Sequence, residues 1–161
     1  MYIENKYWGN YIGDTDDSLN LIAFLEDQSS NEIAFSEILK ILGLYKQGEN
    51  FRRTIRPLGF TNSIGIEVDF YFAIDVITDL AAILLECKVS GSVDLHELEP
   101  FDTSSRIINI IATPEDYEFL DRILADFSNN PLAYDLCELV PQEDMLEMAE
   151  ICESLRQELS S

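Results

Sequence analysis

The chain has 161 residues, of which 31 are Asp or Glu and 10 are Lys or Arg, so its formal net charge is −21. Hydrophobic residues make up 47% of the sequence, which excludes a disordered acidic tail and predicts one folded domain over residues 1–161. This charge argues against direct binding to nucleic acid or to an anionic membrane, because their phosphates would be repelled. A basic protein is the natural partner.

The N-terminal part predicts two helices. Residues 2–13 are rich in aromatic side chains and are expected to form a short strand or an ordered loop. A first helix should follow the acidic run 14–18, whose Asp and Ser side chains can cap it. A second helix is expected over residues 30–42, with Gly43 as its C-cap.

Four basic residues lie in the irregular segment 44–62, which Pro57 and Gly59 interrupt, and with Lys40 just before it they make up half of all the bases. In a chain of this net charge we expect these bases to pair with the protein's own acids rather than with nucleic acid. They are Lys40, Lys46, Arg52, Arg53 and Arg56.

The central part predicts a strand followed by the most buried helix. Residues 64–72 alternate between apolar and polar side chains, a pattern typical of a strand with one buried face. Residues 73–88 are strongly apolar with helical spacing. The apolar stretch 72–85 is too short to span a bilayer and contains Asp75 and Asp79. Residues 92–98 are expected to form another short strand.

The C-terminal part predicts a buried strand over 106–112 and a helix that begins after Thr113, the expected N-cap. A short helix is expected over 132–139 and a long one over 141–159. The fold class is therefore α+β, a predominantly helical domain with a small β-sheet. Residues 89–161 have a net charge of −14 against −7 for residues 1–88, so the C-terminal half should carry the stronger negative field.

No residue pattern predicts a catalytic, cofactor or metal site. His96 is the only histidine and lacks a nucleophile motif nearby, and no glycine-rich phosphate loop is present. The odd number and wide spacing of Cys87, Cys137 and Cys152 argue against a disulfide framework and predict buried structural thiols. No secretory signal is evident, so the chain is expected to be cytoplasmic and not an enzyme.

The acidic run 14–18 permits three interpretations. Its residues can cap a helix and remain solvated, or they can contact a partner. Alternatively, Asp14 and Asp16 could hold a metal ion for phosphatase-like chemistry, although the preceding residues make a poor core strand. The neighbouring aromatic residues Tyr7, Trp8 and Tyr11 are equally typical of interface anchors and of a core plug.

The segment 7–19, with the sequence YWGNYIGDTDDSL, resembles the opening of small bacterial immunity proteins. These proteins belong to contact-dependent growth inhibition and related polymorphic toxin systems. The resemblance implies a cytoplasmic protein that binds one cognate toxin domain, and many such toxins are basic nucleases. It supplies no functional residues, so the candidate site below depends on charge and expected exposure.

We therefore predict an inhibitor that binds a basic, nuclease-type toxin domain stoichiometrically and is steered by its charge. The alternatives are a metal-dependent phosphatase that uses Asp14 and Asp16, an acidic nucleic-acid mimic that blocks a host DNA-binding protein, and a plain adaptor with no inhibitory role. The predicted partner-binding residues are Trp8, Tyr11, Asp14, Asp16, Asp17, Glu97, Glu99 and Asp102.

Overall fold

In the computed structural model, which describes residues 1–99 and 105–161, helices surround one buried helix and two small sheets complete the fold. This architecture confirms the α+β, mainly helical prediction. The helices are α1 (Asp16–Glu26), α2 (Phe35–Leu42), α3 (Ala73–Ser90), α4 (Leu95–Leu98), α5 (Pro114–Asn129) and α6 (Gln142–Ser160). The strands are β1 (Glu32–Ala34), β2 (Gly59–Thr61), β3 (Glu67–Asp69), β4 (Val93–Asp94) and β5 (Ile107–Ile111).

Helix α3 is the centre of the core, as its composition predicts. Every residue from Ala73 to Cys87 is buried, and the N-terminal segment, α1 and α6 pack against this helix. The helix ends at Gly91, whose positive φ of 84° lets its N–H reach the carbonyl of Cys87. Because α3 is covered on several sides, the acids within it are buried too.

The larger sheet has the order β1–β5–β4. Strand β5 pairs in parallel with β1 and antiparallel with β4. Ile108 and Ile110 are buried, whereas Ile107 and Ile111 are exposed, as a strand with one core face requires. The predicted strand over 106–112 is therefore confirmed, and the predicted strand over 92–98 is confirmed only for β4, since α4 follows it directly.

The predicted second helix starts later than expected. Residues 32–34 form β1 because their backbone pairs with β5, and the N–H of Asn109 donates to the carbonyl of Asn31 at 2.7 Å. This pairing links residues far apart in sequence and overrides the local helical pattern. Helix α2 then begins at Phe35 and ends at Gly43, which has the predicted left-handed conformation.

The prediction of one long buried strand over 64–72 is wrong. Ile64 and Ile66 are 77% and 54% exposed, and only β3 pairs, with β2, as a short hairpin. The Asn62 side chain accepts hydrogen bonds from the N–H groups of both isoleucines, which closes the hairpin turn before the strand can extend. Gly65 supplies the positive φ that the turn needs.

Helices α5 and α6 pack on each other and agree with the sequence prediction. The Thr113 hydroxyl accepts from the N–H of Asp116, whose carboxylate accepts in return from the Thr113 N–H. Residues 131–138 form two 3₁₀ turns instead of the predicted short helix. The predicted apolar stripe of α6 is buried and consists of Met145, Met148, Cys152, Leu155 and Leu159.

Within the described part of the chain, nine of the ten basic side chains are engaged by other residues. Arg52 and Arg53 pair with Asp126 and Glu138, as expected for the basic segment. The other ion-paired bases are Lys6, Arg122 and Arg156. Four more donate to backbone carbonyls: Lys46, Arg56, Lys88 and Arg106.

The three thiols are not all buried. Cys87 and Cys152 lie in the core as predicted, but Cys137 is exposed on the second 3₁₀ turn, so the prediction is wrong there. None of the helices in the described part of the chain has the length and apolar character needed to cross a membrane.

Candidate functional site

The N-terminal segment, residues 1–15, is held against α3 by two buried carboxylates. Glu86 accepts a hydrogen bond from the N–H of Ile3 at 2.9 Å. Asp79 accepts from the N–H of Gly13 at 2.9 Å and from the Ser18 hydroxyl at 2.6 Å. Backbone N–H groups that would otherwise be buried without acceptors are thereby satisfied, and the segment is fixed in place.

Trp8 connects this segment to α4. Its Nε1–H donates to the carbonyl of Leu98 at 3.3 Å, and its ring lies against Gly13. Glu97 is exposed and lies 3.8 Å from the N-terminal amine, while Glu99 is half-buried. The structure therefore places these two predicted acids on elements that adjoin the N-terminal segment.

Tyr11 connects the same segment to the start of α6. Its hydroxyl lies 2.9 Å from an Asp144 carboxylate oxygen and 2.7 Å from one of Glu147. Hydrogen bonding to Glu147, then to Asp144, raises the pKa of Tyr11 above its usual value, so it remains a neutral donor. Neither acid was among the predicted site residues, because only the tertiary fold brings α6 beside Tyr11.

The three N-terminal aromatic residues all pack on the core, to different extents. Tyr7 is buried, with its hydroxyl bonded to Glu158, and Trp8 and Tyr11 are half-buried and pack on the core. The core interpretation is therefore correct for Tyr7. Trp8 and Tyr11 retain an exposed part that a partner could contact.

The acidic run 14–18 is divided between the surface and the interior. Asp14 and Asp16 are exposed, and Thr15 caps α1 by accepting from the N–H of Ser18 at 3.2 Å. Asp17 is only 1% exposed, and its carboxylate accepts from the backbone N–H groups of Tyr71 and Phe72 at 2.9 and 3.1 Å. Asp102 lies outside the described residues.

A cavity of about 290 Å³ opens beside this acidic run. Its walls come from the start of α1, the start of α3 and the chain that leads into α6. Most of its lining is apolar, and three carboxylic acids contribute to it. The lining residues are Thr15, Asp16, Asp17, Tyr71, Phe72, Asp75, Leu136, Leu139 and Val140.

Asp75 is the unusual member of this cavity. It is 5% exposed, and its carboxylate has no hydrogen-bond donor or cation bound to it among the described residues. Burial raises the pKa of Asp75 to about 7, and the nearby negative charges of Asp17, Asp14 and Asp135 add to this. Asp135 itself accepts from the Thr54 N–H through one oxygen, and its other, buried oxygen has no hydrogen-bond partner in the described part of the chain.

The sequence carries a signal for this site. Asp75 and Asp79 are the two acids within the apolar stretch 72–85. Acids on two successive turns of the most buried helix have to be buried with it, which is costly unless a partner is supplied.

Metal binding finds no support from the acidic run. Among residues 1–99 and 105–161, no three His, Cys, Asp or Glu side chains are grouped closely enough to hold a metal ion. Asp14 and Asp16, the residues of the phosphatase alternative, are exposed, and Asp17 is occupied by backbone N–H groups.

Gly13→Ala is expected to displace Trp8 and to lower the free energy of unfolding by about 2 kcal/mol. A Cβ at Gly13 would lie 2.2 Å from Cδ2 of Trp8, and the φ of 83° adds strain. Trp8 is the only tryptophan, so its fluorescence reports the displacement directly. Gly9→Ala is the matched control, because Gly9 has a φ of 89° but no neighbour within 4 Å. Equal effects of the two substitutions would contradict the contact between Gly13 and Trp8.

Comparison with known proteins identifies the family. Residues 2–159 match the family model described as immunity protein 68. No curated protein and no solved structure matches the chain. The family match covers nearly all of the chain, including the N-terminal segment and α6, and confirms the resemblance to immunity proteins. The chain therefore belongs to the immunity protein 68 family.

Proposed function

We propose that this immunity protein neutralises a basic, nuclease-type toxin domain by one-to-one binding in the bacterial cytoplasm, within a contact-dependent growth inhibition or related polymorphic toxin system. The immunity role follows from family membership, and it entails binding a cognate toxin. The class of toxin and the electrostatic mechanism are inferred from the charge of this chain.

The observation that carries the proposal is the uncompensated negative charge of the folded protein. Nine of its ten bases are already engaged by its own acids or by backbone carbonyls, while 31 acids are present. So large an excess of one charge opposes compaction and therefore favours a partner of opposite sign. A nuclease must present a positive surface to phosphates, and an acidic inhibitor can cover that surface.

The proposed contact surface follows the N-terminal segment from α4 to α6. It comprises Trp8, Tyr11, Asp14, Asp16, Glu97 and Glu99 from the sequence prediction, together with Asp144 and Glu147, which adjoin Tyr11. Asp17 is excluded from this surface because its carboxylate is buried and occupied. Asp102 remains a prediction.

Capture of the toxin and a nuclease assay test the proposal together. The tagged protein is used to retain partners from its native source at low salt, and mass spectrometry identifies those that elute at high salt. The retained domain is then purified and assayed on DNA and RNA with increasing amounts of the immunity protein. We expect inhibition to be complete at one equivalent. A retained toxin that lacks nuclease activity, or a nuclease that one equivalent leaves active, would contradict the proposal.

Charge reversal at Asp14 and Asp16 is expected to slow association with the toxin at least tenfold at low salt, with a smaller change in the dissociation rate. Both acids are exposed, so the substitution to Lys acts mainly on long-range steering. Surface plasmon resonance at several salt concentrations measures both rates. Reversal of Glu115 and Glu118, two exposed acids on α5, changes the net charge equally and is the control. If the control slows association as much, net charge alone is responsible and the assigned surface is wrong.

A further inference from the structure

We propose that the cavity around Asp75 is an anchoring pocket for one lysine or arginine side chain of the toxin. This inference rests on the proposed function, because it names the chemistry by which the partner is held. Its main support is a buried carboxylate that lacks a partner among residues 1–99 and 105–161.

The Asp75 side chain is 95% buried at the start of α3, lines the cavity and receives no hydrogen bond from the described residues. The other buried acids of α3 are satisfied, since Asp79 accepts from Gly13 and Ser18, and Glu86 accepts from Ile3. A largely buried acid without a protein donor is costly, and a donor that enters the cavity from a partner would offset this cost.

The shape and polarity of the cavity fit a lysine or arginine side chain. Its volume of about 290 Å³ is sufficient for one long side chain, and Phe72, Leu136 and Val140 give it apolar walls. Lysine and arginine bury their methylene stems against apolar surface while their charged ends make polar contacts. The pocket therefore has an apolar wall for the stem and a carboxylate for the charged end.

The surface around the opening of the cavity is partly apolar and exposed. Tyr71 and Leu139 line the cavity and are 57% and 74% exposed, so they offer apolar surface to a docked partner. Side chains that exclude water typically surround the desolvated contacts that contribute most to interface affinity. Asp16, also exposed, adds an attractive charge at the same opening.

Charge complementarity selects this occupant over others. An apolar side chain would leave Asp75 buried and unpaired, and an acidic one would meet Asp16, Asp17 and Asp75 together. A metal ion is disfavoured, since no group of three potential ligands occurs among the described residues. A cationic side chain is the occupant that satisfies both the carboxylate and the apolar walls.

Asp75→Asn tests the pocket in the complex with the toxin. We expect it to weaken binding at least tenfold, mainly through faster dissociation, because it removes a desolvated charge contact. Glu37→Gln is the matched control: Glu37 occupies the same third position of its helix but is exposed. Equal affinity of Asp75→Asn and wild type for a toxin that both inhibit would overturn the pocket and leave the proposed function intact.

A small-molecule titration tests the pocket without the toxin. n-Butylguanidinium and n-butylammonium are added to the ¹³C-labelled full chain, and the side-chain carboxyl signals are followed by NMR. We expect a saturable shift of the Asp75 signal at millimolar concentration and a lower pKa for Asp75, neither of which neutral n-pentanol produces. Small, uniform shifts of all exposed carboxylates would overturn the inference. This result does not depend on whether the toxin is a nuclease, so the two proposals can fail separately.

Discussion

Between pH 5 and pH 8, Asp75 is expected to lower the free energy of unfolding of the wild-type protein by about 3 kcal/mol, and Asp75→Asn is expected to abolish this contribution. Burial raises the pKa of Asp75 from 3.8 to about 7 in the folded protein. Between these two values the folded state keeps the proton that the unfolded chain has released. The stability contributed by this group therefore falls as pH rises and levels off above the folded pKa.

The groups that face Asp75 act in the same direction. Asp79, one turn further along α3, also has a pKa well above its usual range because of burial, so part of the fall should persist in Asp75→Asn. No cation lowers the pKa of Asp75. Its neighbours from the surrounding elements are Asp14, Asp17, Asp135 and Cys152.

Urea unfolding followed by circular dichroism at pH 5, 6, 7 and 8 measures this effect. Glu37→Gln removes one exposed charge from the third position of α2 and should retain the wild-type pH dependence. If the free energy of unfolding changed with pH equally in wild type and Asp75→Asn, Asp75 would not be desolvated. The expected combination of higher stability at pH 8 and weaker toxin binding is a stability–function trade-off that a purely structural residue would not show.

Asp17→Ala is expected to lower the free energy of unfolding by about 3 kcal/mol, since it leaves the N–H groups of Tyr71 and Phe72 without their acceptor. These hydrogen bonds of 2.9 and 3.1 Å attach the start of α1 to the chain that enters α3. Burial raises the pKa of Asp17, and the two N–H bonds oppose that rise. The carboxylate is thus used within the fold.

The adjacent residue provides the control for this substitution. Asp16→Ala should change stability by less than about 1 kcal/mol, because Asp16 is exposed and contributes mainly through the helix dipole. Chemical unfolding at pH 7 compares the two variants. Equal stabilities would mean that the Asp17 hydrogen bonds contribute nothing net, and that the acidic run is uniformly solvated.

Local sequence rules predicted those elements that are set by their own capping residues and apolar composition. The Thr113 cap followed by Pro114 defined the start of α5, and Gly43 and Gly91 marked two helix ends through their positive φ. The apolar run of α3 predicted its burial, since a helix without a polar face has to be covered by other elements. The resemblance in segment 7–19 pointed to the correct family type.

Residues that are distant in sequence decided β1, which exists because β5 pairs with it. This effect is not visible in a local pattern, because hydrogen bonds between distant segments outweigh local propensities of a few tenths of a kcal/mol. The exposure of Ile64 and Ile66 has a local cause instead: the Asn62 side chain, two and four residues away, closes a hairpin turn that the alternating apolar pattern conceals.

The candidate site shows the same division. By itself the sequence determined the large negative charge, the helical α+β class and the acidic run beside the N-terminal aromatic residues. Only the tertiary structure decided that Asp17 is buried while Asp16 is exposed, and that Asp75 lines a cavity with Leu139. The physical reason is that burial and partnering are properties of packing: the free energy of a carboxylate depends on what surrounds it, and those surroundings come from α1, α3 and the approach to α6 together.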